Sequence, residues 1–252
     1  MRLITTPRSE FRTCLLDENL HQIAEKNVDK FDFMPVVSTQ GVILGIVELA
    51  AYFDAPAPTG KVSDFTEQLG ERHLIGADAS ILDFILDADQ RPFRFVVSQN
   101  GIIGLVSLSD LQRFPVRPVL FSLVTALEIK AAATIRSLLP QSDAWLEHIS
   151  NGRRMKVREE IAKASAKNGI VDPLLFTQFS DKRDIISKAF LRESPKRQKF
   201  TTTMKKIQAL RDDLAHANEY ASTTKKAADV CRTVRSVFEM FNLLDHCSPH
   251  AT

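Results

Sequence analysis

Phe93-Arg-Phe-Val-Val97, Gln99-Asn-Gly101 and Ile102-Ile-Gly104-Leu-Val106, followed by Ser107-Leu-Ser-Asp110-Leu111, form the stretch whose reading decides the fold. Two runs rich in β-branched and aromatic residues flank an Asn-Gly turn, which is a hairpin signal. Ser107 to Arg113 then reads as a short helix. The same order stands sixty residues earlier: Phe33-Met-Pro-Val-Val37 is a strand, Gly41 the turn and Val42 to Val47 the returning strand. Leu49 to Phe53 follows as the start of a helix. Helical patterns precede both hairpins, at Asn19 to Lys26 and at Ser80 to Ala88. Each copy is therefore strand, helix, strand, strand, helix, with Pro56, Pro58 and Gly60 at the joint.

Beyond residue 118 the texture changes to helices alone. Val119 to Leu139 is apolar on a broad face and stops at Pro140. Ser142 is placed to cap a short helix through Ile149, ended by Asn151-Gly152. Arg153 to Lys167 runs to Gly169, a C-terminal glycine. Ser194-Pro195 opens a long helix reaching about Tyr220, and Thr223 to Asp245 closes a bundle of four to five helices. The expected fold class is α+β, a repeat pair over residues 1–117 (copies about 1–55 and 61–117), then an all-α helical bundle over 118–246 and a tail, 247–252.

The composition excludes several classes. Hydrophobic residues are 44% and charged residues 25% of 252, the balance of a folded, water-soluble chain. Nine Gly and eleven Pro are too few for a collagenous or low-complexity protein. Cys14, Cys231 and Cys247 make neither a disulfide framework nor a zinc quartet. Apolar stretches such as Val42 to Phe53, broken by Glu48, are too short to cross a bilayer, and the N-terminus lacks the apolar core of a secretory signal. A cytoplasmic protein without a membrane partner is the expectation. The net charge of +2 divides unevenly: residues 1–118 carry −5 and residues 119–252 carry +7. A basic half attracts phosphate backbones, although a solvated lysine-rich helical surface has the same composition.

Met34-Pro35-Val36-Val37 through Gly45-Ile46-Val47, and Gly101-Ile-Ile-Gly104-Leu-Val-Ser107-Leu-Ser-Asp110-Leu111, resemble a tandem pair of cystathionine-β-synthase-type (CBS) domains over residues 1–116. That resemblance implies a pseudo-twofold unit whose clefts often bind adenine nucleotides (ATP, ADP or AMP), here as a regulator. Ser107 and Asp110 fit the family's ribose signature of Ser or Thr, two residues, then Asp. A carboxylate accepts hydrogen bonds from both ribose hydroxyls, and flanking strands supply an apolar slot for the base. His73, Leu74 and Ile75 with Phe95, Val96 and Val97 are the candidates for the slot. In the first copy Glu48 and Ala51 stand where Ser/Thr and Asp belong, so one site per chain is expected at most. Ser-x-x-Asp at a helix start is also an ordinary capping arrangement.

Leu210-Arg211-Asp212-Asp213-Leu214-Ala215-His216-Ala217 lies near the end of the long helix. An isolated Arg/His pair at this spacing says little. A polar second position, the apolar Leu214-Ala215 and a basic helical context make the stretch resemble the R-x-x-x-x-H signature of HEPN (higher eukaryotes and prokaryotes nucleotide-binding) domains, over residues 119–246. Many members are metal-independent RNases, and they usually dimerise so that two motifs line one cleft. The resemblance implies a homodimer, an RNA partner, no catalytic cofactor, a toxin or stress-response role and a possible antitoxin or modifying enzyme.

On an ideal helix Asp212 and His216 share a face, so Asp212 is placed to orient the imidazole. Arg211 and His216 stand about 140° apart around the axis and do not point at one atom unless Arg211 bends or the helix ends between them, a difficulty that a second protomer removes. His216 is then general base or acid for attack of the RNA 2′-hydroxyl on its own phosphate, and Arg211 neutralises the phosphorane. The products are a 2′,3′-cyclic phosphate and a 5′-hydroxyl. Lys199, Lys205, Lys206, Lys225 and Lys226 are candidates for RNA phosphate contacts without base reading. The bland alternative is a surface ion-pair network with a histidine favoured by the helix dipole. His21, His73, His148, His246 and His250 have no nucleophile or acidic ligand at useful spacing, and no Gly-x-x-x-x-Gly-Lys loop exists. The competing class is a non-catalytic, nucleotide-responsive scaffold or RNA-binding dimer.

Overall fold

In a computed structural model, which describes residues 1–55, 58–141, 143–166 and 172–247, the two hairpins head two four-stranded sheets. Pro56, Ser142, Lys167, Gly169 and His250 lie outside the described residues. The chain divides into two compact units, Met1–Asp110 and Leu111–Thr252.

The first unit holds β1 (Thr6–Pro7), β2 (Cys14–Leu15), α1 (Leu20–Lys26), β3 (Phe33–Val37) and β4 (Ile43–Glu48). The order then repeats as β5 (Glu67–Gln68), β6 (Leu74–Gly76), α2 (Ile81–Ile85), β7 (Phe93–Ser98) and β8 (Gly101–Ser107). Both hairpin turns use a glycine at positive φ, 76° at Gly41 and 87° at Gly101. Both ladders also shift register at the same place, Val36/Val37 and Val96/Val97. The helices start where side chains can accept free N–H groups: Asn19 caps α1, and Ser80 with Asp83 forms a capping box on α2.

The sheet orders are β2-β3-β4-β5 and β1-β8-β7-β6. Each copy thus gives its first strand to the other copy's sheet. Gly45 and Gly104 permit this, because a Cβ at either would collide with the carbonyl of the crossing strand, Glu67 or Thr6. Between the sheets Ile43, Ile46, Phe93 and Phe95 form a shared core, with the Phe93 and Phe95 rings edge-to-face at 4.9 Å. This is the repeat pair that the CBS resemblance implied. The helices expected after each hairpin are single 3-10 turns, Ala50–Tyr52 and Leu108–Gln112.

The second unit is all-helical: α3 (Val116–Leu138), α4 (Asn151–Ser165), α5 (Phe179–Ala189), α6 (Arg197–Ala215) and α7 (Thr224–His246). Phe200, Met204, Ile207, Leu210 and Leu214 recur along α6 at helical spacing and are buried. Phe200, Met204 and Ile207 meet Leu127, Ile135, Ile185, Ile186, Val237 and Met240 in one core. Each such side chain contributes about 1.5–3 kcal/mol on burial.

Four expectations need correction. Asn151 and Gly152 open α4 rather than close the preceding helix, because Ser150 Oγ accepts the Arg153 N–H at 3.4 Å. The unanticipated α5 begins at a box in which Asp181 accepts the Gln178 N–H at 2.9 Å. Helix α6 ends at Ala215, well before Tyr220. Finally, α3 is long and apolar enough to cross a membrane by length and composition; one face of it, Val124, Leu127, Ala131 and Ile135, packs in the bundle core.

Candidate functional site

The end of α6 is set by a residue about a hundred positions earlier. Arg117 Nη1 donates to the carbonyls of Asp213 and Leu214 at 3.1 and 2.7 Å, and Nη2 to that of Asn218 at 2.6 Å. The Asp213 and Leu214 carbonyls belong to the last turn of α6, where no following turn of helix supplies donors. The Asn218 N–H closes back on the Asp213 carbonyl at 3.0 Å, and Ala217 takes φ 56°, the left-handed cap. The Arg117 guanidinium lies 5.0 Å over the ring of Tyr220, whose hydroxyl donates to the Leu111 carbonyl at 2.7 Å. Burial pushes the Tyr220 phenol up to about 12, against the opposing charge of Arg117. These bonds hold residues 111–117 within the second unit, which runs from Leu111.

His216 is therefore the C-cap residue and is exposed. Its backbone N–H donates to the Asp212 carbonyl at 3.0 Å, and its imidazole has no hydrogen bond or ion pair among the described residues. The Asp212 carboxylate does not reach it: Oδ1 lies 3.4 Å from Arg211 Nη1. The expectation that Asp212 orients the imidazole is corrected: within the chain that carboxylate pairs with the neighbouring guanidinium. Arg211 is half-buried, with Nε 3.6 Å from Glu128 Oε2 on α3. Glu128 Oε1 in turn accepts from Lys182 Nζ of α5 at 3.0 Å. Glu128 and Lys182 escaped the sequence reading, though Glu128 is the single carboxylate among the 23 residues of α3.

Lys199, Lys205, Lys206, Lys225 and Lys226 are all exposed, the first three on α6 and the last two on α7. Lys206 and Lys226 line an open cavity of about 620 Å³ between α6 and α7, together with Asp213, Glu219 and Asp229. Lys226 Nζ donates to the Glu219 carbonyl at 3.2 Å, and Lys199 Nζ stands 3.4 Å from Glu239. Among the described residues no cluster of three or more His, Cys, Asp or Glu is arranged to hold a metal.

In the first unit Asp110 is buried and Oδ2 accepts the Ser107 N–H at 2.6 Å and the Ser107 hydroxyl at 3.2 Å. The pair thus caps the 3-10 turn that follows β8. His73 and Phe95 are both buried. Phe95 is fully buried in the core between the sheets. His73 Nδ1 accepts the Gly70 N–H at 3.0 Å, and Nε2 lies 2.6 Å from Glu67 Oε1. Ile75 is buried, while Leu74 and Val97 remain half-buried.

No protein-family model matches the sequence, and no curated protein matches it. Solved structures do match, and several of those covering 43–46% of the chain carry CBS domains. The CBS domains of a transcriptional regulator from Streptococcus pneumoniae are 17% identical over 44% of this chain and 96% of that one, with TM-score 0.35. CBSX2, solved in complex with AMP, is 16% identical over 46% and 95%, also with TM-score 0.35. A protein from Mathanocaldococcus jannaschii is 16% identical over 74% of this chain and all of that one, with TM-score 0.36.

Proposed function

We propose that the chain is a metal-independent endoribonuclease whose site is Arg211 and His216 at the end of α6, completed across a homodimer. One observation carries this reading. Arg211 is anchored and half-exposed while His216, five residues on, is exposed with its imidazole unengaged among the described residues. One group is held for a phosphate, and the other is available for proton transfer. Within one chain Asp212 serves the guanidinium, so the Asp212 carboxylate acts on Arg211. Lys205 and Lys206 precede the motif on α6, and Lys225 and Lys226 follow it at the start of α7, as exposed cations for an RNA backbone.

The N-terminal pair is read as the sensor of an adenine nucleotide, with Asp110 and Ser107 as the ribose contacts. Binding there biases the helical dimer between two geometries. A toxin or stress-response role, held in check by an antitoxin or modifying enzyme, fits this arrangement.

The non-catalytic, nucleotide-responsive scaffold is favoured by a different observation: Arg211 and Asp212 already form ion pairs in a single chain. Incubating the purified protein with RNA and a chelator, with wild type beside His216→Ala, separates the two. Cleavage by wild type alone, leaving 2′,3′-cyclic phosphate ends, supports the nuclease. Absence of cleavage with and without ATP or AMP leaves the scaffold.

A further inference from the structure

Glu128, Lys182 and Arg211 come from three different helices and meet beside the apolar core of the bundle. The Lys182 side chain is only 6% exposed; its Nζ donates to Glu128 Oε1 at 3.0 Å and to the Thr177 carbonyl at 2.8 Å. Glu128 is one-fifth exposed, and its other oxygen faces Arg211 Nε at 3.6 Å. Such an ion pair is a poor stabiliser, because desolvation offsets the Coulomb attraction and apolar residues of similar volume serve the fold as well. What it does supply is direction. With Nε turned to Glu128 and Nη1 3.4 Å from Asp212 Oδ1, the half-exposed guanidinium is held on two sides, and Nη2, which has no partner among the described residues, is the donor left for a phosphate oxygen.

We infer that Glu128, itself oriented by Lys182, is a positioning residue for Arg211. It fixes the guanidinium so that Nη2 donates to a phosphodiester. The inference rests on the endoribonuclease reading for its substrate, although the anchoring of Arg211 can be measured without one. Neither Glu128 nor Lys182 touches the RNA; both act through Arg211.

The test uses the full chain with Glu128→Gln and with the apolar pair Glu128→Leu/Lys182→Met. Three quantities are measured: the thermal melt, the solvent exchange of the Arg211 Nε–H by NMR, and single-turnover cleavage of a short oligoribonucleotide in chelator. The apolar pair is expected to melt near wild type and to exchange the Arg211 Nε–H faster. Its cleavage rate should fall about 30-fold or more at unchanged half-saturation, as loss of orientation rather than of binding requires. Glu128→Gln, which keeps the volume and one acceptor, should fall between. A folded pair variant with wild-type rate and wild-type exchange overturns the inference. Should the pair variant not fold, Glu128→Gln decides by the same two readouts. If the wild type cleaves no RNA, the nuclease reading fails by itself. The exchange arm then still discriminates: faster exchange sustains the anchoring role, and unchanged exchange removes it.

Discussion

Arg117 Nη1 donates to the Leu214 carbonyl at 2.7 Å, across 97 positions of sequence, and thereby ends the helix that carries Arg211 and His216. The bond connects the start of α3 with the last turn of α6. It makes His216 a C-cap residue instead of one more residue inside a helix.

Replacing Arg117 by alanine leaves the Asp213, Leu214 and Asn218 carbonyls without this donor and Tyr220 without its cation. The expected loss is about 1–3 kcal/mol in a denaturant melt. Arg117→Lys should recover only part of it, because one ammonium does not reproduce the planar fork. A wild-type melt for Arg117→Ala would show that solvent satisfies this helix end.

His216→Ala and Arg211→Ala should each lower RNA cleavage about 10²–10³-fold while the helical signal in circular dichroism stays intact. His216 is exposed, so its truncation removes no core contact. The comparison is made in chelator at fixed salt, since phosphate contacts weaken steeply with ionic strength. Equal cleavage by all three proteins excludes the motif from the chemistry.

Asp110 has two tasks to separate. Asp110→Ala removes the acceptor of the Ser107 N–H and is expected to cost about 1 kcal/mol, the usual value of a lost cap. Asp110→Asn keeps a side-chain oxygen for that cap but withdraws the charge that a ribose diol would meet. Calorimetric titration with AMP and ATP should show binding to wild type and weakened binding to both variants. Unchanged binding in both would assign Asp110 to capping alone.

Gly45→Ala and Gly104→Ala test the exchange of edge strands. An added methyl collides with the Glu67 carbonyl in one case and with the Thr6 carbonyl in the other. Overpacking of this kind costs about 1–3 kcal/mol. Both variants should melt early in urea by similar amounts, as equivalent positions of a repeat would. A large effect at one and none at the other contradicts that equivalence.

Glu67 gives the N-terminal unit an acid dependence. Partial burial by itself raises this carboxyl, but the hydrogen bonds and charges of Arg72 and His73 outweigh it and hold the group below its ordinary value of 4.5. A carboxyl lowered by folding contributes stability above its unfolded value and loses it as pH falls through the folded value. Urea melts taken from neutral pH to below 4.5 should therefore show wild type losing slightly more than Glu67→Gln. The difference is small because the Glu67 side chain is 43% exposed and screened by solvent.

The sequence by itself determined the parts that rest on local chemistry. The paired turns at Gly41 and Gly101, the hairpins around them, the caps at Asn19, Ser80 and Thr223 and the apolar spacing of α6 are all written within a few residues of where they act. Only the tertiary structure decided the rest. Nothing near Leu214 states that Arg117 will take its carbonyl, and nothing near Arg211 names Glu128 or Lys182. His73 and Phe95 read as plausible pocket residues until Gly70 and Glu67 occupy the imidazole and Phe93 covers the ring. The physical reason is common to these cases. A periodicity or a cap is satisfied by neighbours in the chain, whereas the partner of a charge or a ring is whichever group the packing of separate elements brings within reach.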